Sequence, residues 1–339
     1  MKLKLCIMFG GMSSEHSVSC MSAYNVLKYV NKDKYDISMI GIDLQGNFIK
    51  YVGNIENIKN NTWRKDTENL ILIDKIMLEF KDYDAVFPVM HGRYSEDGCI
   101  QGLFELAKVK YVGCNVEGSS VGYNKLLSKI LVKSIGVNIV NYTSFSKYET
   151  LTKEYIEEKI NISNLSYPLF VKPNKEGSSY GVSKVNNLEE MFNAIKYALE
   201  FDSVVLIEEF IQDKKEVECS VLGNYNLIIS QPGEIVINDD VYDFDNKYVN
   251  NTSSYLIPAS IDKEKLNKIK EYSKNIFELL NLSGLARVDF FVTKDNIYFN
   301  EVNTMPGFTD ISMYPKMLEN IGISYSELID RLIECSLNR

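Results

Sequence analysis

Between residues 285 and 303 the chain reads Leu285-Ala-Arg-Val-Asp-Phe-Phe-Val-Thr293, then Lys294-Asp295-Asn296, then Ile297-Tyr-Phe-Asn-Glu-Val-Asn303. Two runs rich in β-branched and aromatic residues around a short polar turn signal a β-hairpin. With Asp295 at the turn centre, Arg287 falls opposite Asn303, Asp289 opposite Glu301 and Phe291 opposite Phe299. Strand side chains alternate, so these six share one face and Val288 and Val302 share the other. Carboxylates set directly opposite repel one another unless a cation stands between them. Asp289, Glu301 and Asn303 offer hard oxygen donors suited to Mg²⁺ shared with phosphates. A solvated sheet face on which Arg287 alone neutralises the pair is the other reading, and a one-residue slip in register would dissolve both.

The rest of the chain sets this hairpin in a mixed α/β context. Leu3–Phe9 is a short apolar strand running into Gly10-Gly11, after which Ser13 or Ser14 can cap a helix reaching about Val30. Tyr35–Ile42 and Asp84–Met90 are further strands, the latter followed by a polar turn over 91–98 and an apolar segment over 100–107. Such alternation predicts an open parallel sheet with ligands at the carboxyl ends of its strands, where Gly10–Glu15 and His91–Asp97 fall. From about Glu117 the pattern changes. A helix over 125–135 carries Leu126, Leu127, Ile130 and Leu131 at helical spacing, and strand, loop, strand, helix, strand then run from Tyr167 to Glu208. That is an α+β unit with antiparallel strands. Three units follow: 1–116, 117–209, and 210–339 with a long polar segment over 233–254.

Composition narrows the chemistry. With 37 Lys and Arg against 46 Asp and Glu the net charge is −9, and no basic cluster suits nucleic acid. No apolar run is long enough to span a bilayer, and Met1–Phe9 reads as a first strand rather than a signal peptide. Six scattered cysteines without a CxxC read as reduced, buried thiols of a cytoplasmic protein. His16 and His91 are the only histidines, so a histidine zinc site or a Ser-His-Asp triad is nearly out of reach. Carboxylates, Lys, Arg, Ser and Tyr must carry whatever reaction occurs. The Gly/Ser loop Glu176–Gly181, next to Lys172, suits phosphate oxygens through its backbone N–H groups, although an ordinary flexible hairpin reads the same way. Val204–Ile211 ends in Glu208 and Glu209, which could meet a purine and a ribose or simply close a core strand.

Taken in order, the segments Phe9–Ser19, His91–Gly98, Val171–Gly181, Tyr242–Tyr248, Ala286–Asp289 and Asn300–Thr309 resemble the D-alanine–D-alanine ligases of the ATP-grasp superfamily over nearly the whole chain. The resemblance implies an ATP-grasp fold of three domains with an N-terminal open parallel sheet. It implies ATP-driven joining of two D-alanines through a D-alanyl phosphate for peptidoglycan precursors. ATP with two Mg²⁺ or Mn²⁺ ions and a cytoplasmic homodimer, without nucleic acid or membrane, complete that expectation. Matched residue by residue, Asp289, Glu301 and Asn303 would hold the metal. Lys125, Lys172, Ser179 and Lys247 would contact ATP phosphates, Glu208 and Glu216 the adenine and ribose, and Glu209, Phe210 and Ile211 would line the base. Arg287 and the Gly307 N–H would form the oxyanion site, Glu15 would pair with the first ammonium, and Ser178 and Tyr248 would join it in a triad. His91 would lie in the first-substrate region, with a structural turn histidine as the alternative, and Ser312 would take the second carboxylate.

Two departures from the family pattern are Ser95 where glycine is usual and Asn124 where aspartate is frequent. Lactate-type relatives place a histidine where Tyr248 stands, and serine-type relatives tend to place arginine where Met313 stands. Met313 is apolar and suited to a methyl side chain, which favours D-alanine as second substrate over D-serine. A D-alanine–D-serine ligase and a non-catalytic nucleotide-binding regulator are the competing readings.

Overall fold

The computed structural model describes residues 2–236 and 254–339 and folds them around three sheets. The first contains β1 (Leu3–Gly10), β2 (Tyr35–Ile42), β3 (Phe48–Tyr51), β4 (Leu70–Leu72), β5 (Ala85–Pro88) and β6 (Lys110–Tyr111), in the order β4-β3-β2-β1-β5-β6. Strands β2, β1, β5 and β6 pair in parallel, as expected, and β3 and β4 extend the sheet antiparallel. The second sheet, β7 (Tyr142–Ser146), β8 (Leu169–Pro173), β9 (Ser183–Val185) and β10 (Val204–Glu209), is antiparallel throughout in the order β7-β10-β8-β9. The third contains β11 (Lys215–Gly223), β12 (Ile228–Ile229), β13 (Gly233–Val236), β14 (Ser254–Leu256), β15 (Gly284–Val292) and β16 (Ile297–Asn303). Its order is β14-β13-β11-β15-β16, with β12 beside β11. The ends of the expected loop over 233–254 are thus the paired strands β13 and β14. Its interior, with Lys247 and Tyr248, lies outside the described residues.

The hairpin register holds at Arg287 with Asn303, Val288 with Val302 and Asp289 with Glu301. A bulge between Asp289 and Phe290 then shifts the pairing, so Phe291 meets Tyr298 and Phe290 meets Phe299, not Phe291 with Phe299 as alternation predicts. The extra residue sends Phe290 and Phe299 into the core, with ring centroids 6.4 Å apart, while the site end of the hairpin keeps its alternation.

The helix Lys125–Ser134 reverses expectation. Leu127, Ile130 and Leu131 face outward, and the buried face is Lys125, Ser128, Lys129 and Val132. The helix His16–Tyr29 starts at Glu15 without a side-chain cap; Ser13 Oγ accepts from Glu15 N at 3.2 Å, one turn short of the helix N–H groups, and donates to the His91 carbonyl at 2.7 Å. Of the cysteines expected to be buried, Cys99 is exposed and Cys335 only partly covered. The cores also cross the proposed unit boundaries. Leu328, Ile329, Leu332 and Ile333 pack with Leu5, Ile7 and Phe87 of the first sheet, and Val132 and Val137 join the core of the third. Among the described residues no helix is long and apolar enough to cross a membrane.

Candidate active site

Two adjoining cavities open where the three sheets meet. Glu15, His91, Glu96, Glu218, Arg287, Gly307, Ser312 and Met313 line the first. Lys172, Ser179, Glu208, Glu209, Ile211, Glu216 and Asn300 line the second. Lys125, Glu176, Gly177, Ser178 and Glu301 line both and form the passage between them.

The first cavity lies at the carboxyl ends of β1 and β5, where an open α/β sheet binds ligands. Gly10 has φ +86°, and a Cβ there would lie 2.3 Å from the Ile42 carbonyl, so only glycine lets the chain leave β1 in this direction. The turn delivers Glu15, buried and accepting a hydrogen bond from Ser178 Oγ. A Cβ on Gly177 would stand 2.8 Å from Glu15 Oε2, so the carboxylate fits against a bare stretch of backbone. Glu96 lies beside it, its Oε1 accepting from Gly92 N at 2.8 Å. Burial, with the Glu15 charge added, pushes its carboxyl up to about 8. His91 borders this cavity, but Met305 O lies 2.9 Å from its Nδ1 and Ser22 Oγ 3.0 Å from its Nε2. Burial holds its pKa below the ordinary histidine value. A neutral ring with both nitrogens engaged by protein fits the structural alternative for this residue.

Arg287 is the electrostatic centre of the wall. Its Nε and Nη2 donate to Asp289 at 2.8 and 2.7 Å, and Nε lies 3.0 Å from Glu218 Oε2. Burial opposes its charge, yet Asp289 and Glu218 together raise its pKa well above the ordinary value. Glu218, opposite Asp289 on β11, escapes sequence reasoning because that pairing is non-local. The only signal was the alternation Glu216, Glu218, Ser220 along the strand. Ser312 Oγ is 2.8 Å from Thr309 Oγ1 at the start of the helix Met313–Glu319. Met313 borders the cavity, but its methyl lies 2.4 Å from where a Gly233 Cβ would be, and the side chain packs with Ile235 and Met317. It therefore also braces the base of β13.

In the second cavity Lys172 Nζ lies 2.7 Å from Glu208 Oε2 and donates to Asn300 Oδ1 at 3.3 Å. Lys129, which the sequence did not single out, places Nζ 3.1 Å from Glu208 Oε1. Burial disfavours the charged Glu208, but the two ammoniums overcome it and bring the carboxyl to about 2. Burial likewise pulls Lys129 down to about 8 against the attraction of Glu208. Glu216 pairs with Lys214 at 3.0 Å, and Glu209 accepts from Asn141 Nδ2 at 3.1 Å. Phe210 does not line this cavity as expected. Its ring lies 5.8 Å from Phe170, with the Lys184 ammonium 4.3 Å from its centroid. Packing on Phe170 and the cation over its face hold the ring aside, while Glu208, Glu209 and Ile211 line the wall. Ser178 and Ser179 adopt φ +49° and +61°, an unusual left-handed pair that curls the loop toward the passage.

The donor set fits a divalent cation in charge and hardness. Asp289 and Glu301 face one another, and Asn303 Nδ2 donates to Asp289 at 2.9 Å, which leaves its amide oxygen to accept or ligate. Lys125 Nζ now lies 3.2 Å from Glu301 Oε2 and donates to the Glu176 carbonyl at 2.6 Å. Among the described residues no three His, Cys, Asp or Glu side chains converge on one point, so any ion here would need ligand or water oxygens to complete its shell. The two departures are accommodated. Ser95 keeps ordinary φ, the positive value falling on Tyr94 at +65°, and Asn124 Oδ1 caps the helix Lys125–Ser134 by accepting from Leu127 N at 3.0 Å.

Two family models match, D-ala D-ala ligase N-terminus over residues 4–114 and D-ala D-ala ligase C-terminus over 131–334. A D-alanine–D-alanine ligase of Acetivibrio thermocellus is 44% identical, with 100% of this chain and 96% of the relative covered. Among solved structures, the VanG D-Ala:D-Ser ligase from Enterococcus faecalis superposes with a TM-score of 0.88 at 39% identity, covering 99% of this chain and 100% of that one. The D-alanine–D-alanine ligase from Coxiella burnetii gives 0.87 at 32% identity, covering 100% and 94%. The chain belongs to the D-alanine–D-alanine ligase family.

Proposed function

We propose that this chain joins two D-alanines, with ATP converted to ADP and phosphate, to supply a peptidoglycan precursor in the cytoplasm. The observation that carries the reading is the pair of cavities joined at Lys125 and Glu301, one lined by lysines and acids, the other by Glu15, Arg287 and Ser312. The γ-phosphoryl group passes to the first D-alanine's carboxylate, giving ADP and an acyl phosphate. The second amine then forms a C–N bond at the carbonyl carbon and loses a proton, and the C–O bond to phosphate breaks. Positioning and charge neutralisation supply most of the acceleration in such a transfer.

Glu15, oriented by Ser178, receives the first ammonium. Arg287 and the Gly307 N–H stabilise the tetrahedral oxygen, since preorganised donors act where charge develops. Ser312 takes the second carboxylate, and His91 positions the turn at Met305. Lys125, Lys172, Ser179 and Lys247 hold phosphates. Glu208 and Glu216 meet adenine and ribose, Glu209 and Ile211 flank the base, and Tyr248 completes the triad with Glu15 and Ser178. Asp289, Glu301 and Asn303 would hold two Mg²⁺ or Mn²⁺ ions, which when bound screen the repulsion between phosphate oxygens and carboxylates. The chain works as units 1–116, 117–209 and 210–339 and pairs as a homodimer.

The likeness to a D-Ala:D-Ser ligase favours D-serine as an alternative second substrate. Apolar Met313 at the cavity wall favours D-alanine. ADP release measured with ATP, Mg²⁺ and D-alanine tests the reading, and absence of D-alanine-dependent release would remove it. Faster release on adding D-serine would select the serine reading.

A further inference from the structure

Lys129 has no part in the mechanism above. It is fully buried and borders neither cavity, so it cannot touch a nucleotide. It nevertheless faces Glu208 across the core at 3.1 Å, on the side opposite Lys172 at 2.7 Å. Two ammoniums on one carboxylate are more than charge balance needs. A single buried pair would already satisfy Glu208, and burying a second ammonium carries a desolvation cost of its own. The arrangement makes sense if one ammonium has to leave. Lys172 borders the nucleotide cavity, whereas Lys129 is enclosed beside the Phe299 ring at 5.9 Å. Without Lys129, each move of Lys172 toward a phosphate would strand a buried carboxylate, whose unpaired charge is strongly unfavourable.

We infer that Lys129 is a positioning residue that keeps Glu208 neutralised, so that Lys172 is free to exchange that carboxylate for a nucleotide phosphate. This rests on the reading of Lys172 as a phosphate-binding residue. The helix Lys125–Ser134 is built for such a division of labour. Lys125 and Lys129 are four residues apart on its buried face, one directed at Glu301 and the other at Glu208. Lys125 meets the passage, and Lys129 stays behind it.

Steady-state kinetics of the full chain with ATP, Mg²⁺ and D-alanine, on Lys129→Met, Glu208→Gln, the double variant and Lys172→Met, test the inference. Lys129→Met leaves a neutral Glu208–Lys172 pair, so it should fold and raise the KM for ATP about tenfold, with the KM for D-alanine unchanged and kcat within about threefold. Removing the charge of Glu208 removes the competition for Lys172. The double variant should therefore bind ATP within about threefold of Glu208→Gln alone; residues in contact couple in any case, and what a merely structural pair would not give is coupling confined to the KM for ATP with the KM for D-alanine unmoved. An unchanged ATP KM in Lys129→Met, a fully additive double variant, or failure of Lys129→Met to fold each overturns the inference. An unchanged ATP KM in Lys172→Met overturns the phosphate role of Lys172 and this inference with it. A raised value there beside an unchanged one in Lys129→Met overturns this inference alone.

Discussion

Replacing Glu96 with glutamine should stabilise the unliganded protein at alkaline pH and leave it nearly unchanged at acid pH. The carboxyl is buried next to Glu15 and titrates at about 8 instead of the ordinary 4.5. Between these values the native state holds a proton that the unfolded chain has lost, so stability falls as pH rises through the window. Each pH unit corresponds to about 1.4 kcal/mol, which caps the whole effect at about 5 kcal/mol. Sharing of charge with Glu15 reduces it, and about 2–4 kcal/mol is the working expectation. Glutamine keeps an acceptor for Gly92 N, now 2.8 Å from Glu96 Oε1, and has no charge to lose its hydration on burial. Scanning calorimetry of parent and Glu96→Gln at about pH 5 and about pH 8.5 separates the cases. The variant should melt roughly 3–6 °C higher at the upper pH and within about 2 °C at the lower. Equal differences at both pH values, or a variant less stable at pH 8.5, would refute the claim that a buried carboxyl is being forced to ionise.

Arg287→Ala should lower kcat by about 10²–10³-fold as an oxyanion donor is lost. It should also destabilise the fold by about 3–5 kcal/mol, because Asp289 and Glu218 lose their buried partner, and parallel activity and urea-unfolding measurements check both. Glu301→Gln removes one of two facing carboxylates from a half-buried site, so it should fold normally by circular dichroism while the Mg²⁺ needed for half-maximal rate rises about tenfold or more. Gly177→Ala places a methyl 2.8 Å from Glu15 Oε2, and should raise the KM for the first D-alanine about tenfold with little change in the KM for ATP, as initial-rate kinetics would read.

The elements that the sequence made legible are those whose information is local. The Asp289–Glu301 register follows from turn position and alternation, and Gly10 and Gly11 follow from the sharp exit at the end of β1. The bulge after Asp289 was not legible, because the pull of Phe290 and Phe299 into the core depends on what packs behind the hairpin. Glu218 needed the β11–β15 pairing, which joins residues some seventy positions apart. Glu96 reads as one acid in a polar turn until burial and Glu15 give it a neighbour. Phe210 was grouped with Glu209 and Ile211 as one lining, because its packing on Phe170 of β8 is a contact between residues forty positions apart that no local pattern announces.

The helix Lys125–Ser134 shows why a site can invert the usual reading of periodicity. Its leucines and isoleucines mark a stripe that ought to be inside, yet Leu127, Ile130 and Leu131 are exposed and two lysines are buried. An apolar stripe turns inward only when the facing surface is apolar, and here that surface carries Glu208 on β10 and Glu301 on β16. Burying unpaired carboxylates would be unfavourable, so the cationic face of the helix is drawn in against the pattern. Four residues rise about 6 Å along a helix, which ties the two acids, and the two sheets bearing them, to a fixed separation. The helix start is held to the second sheet as well, since Leu126 N donates to Asn174 Oδ1 at 2.8 Å. One element thus sets the spacing of both cavities. A charge change at Lys125, which borders both cavities, should therefore register in both sites, one at Lys129 in the nucleotide cavity alone, and swapping the exposed leucines of the helix for polar residues should register in neither.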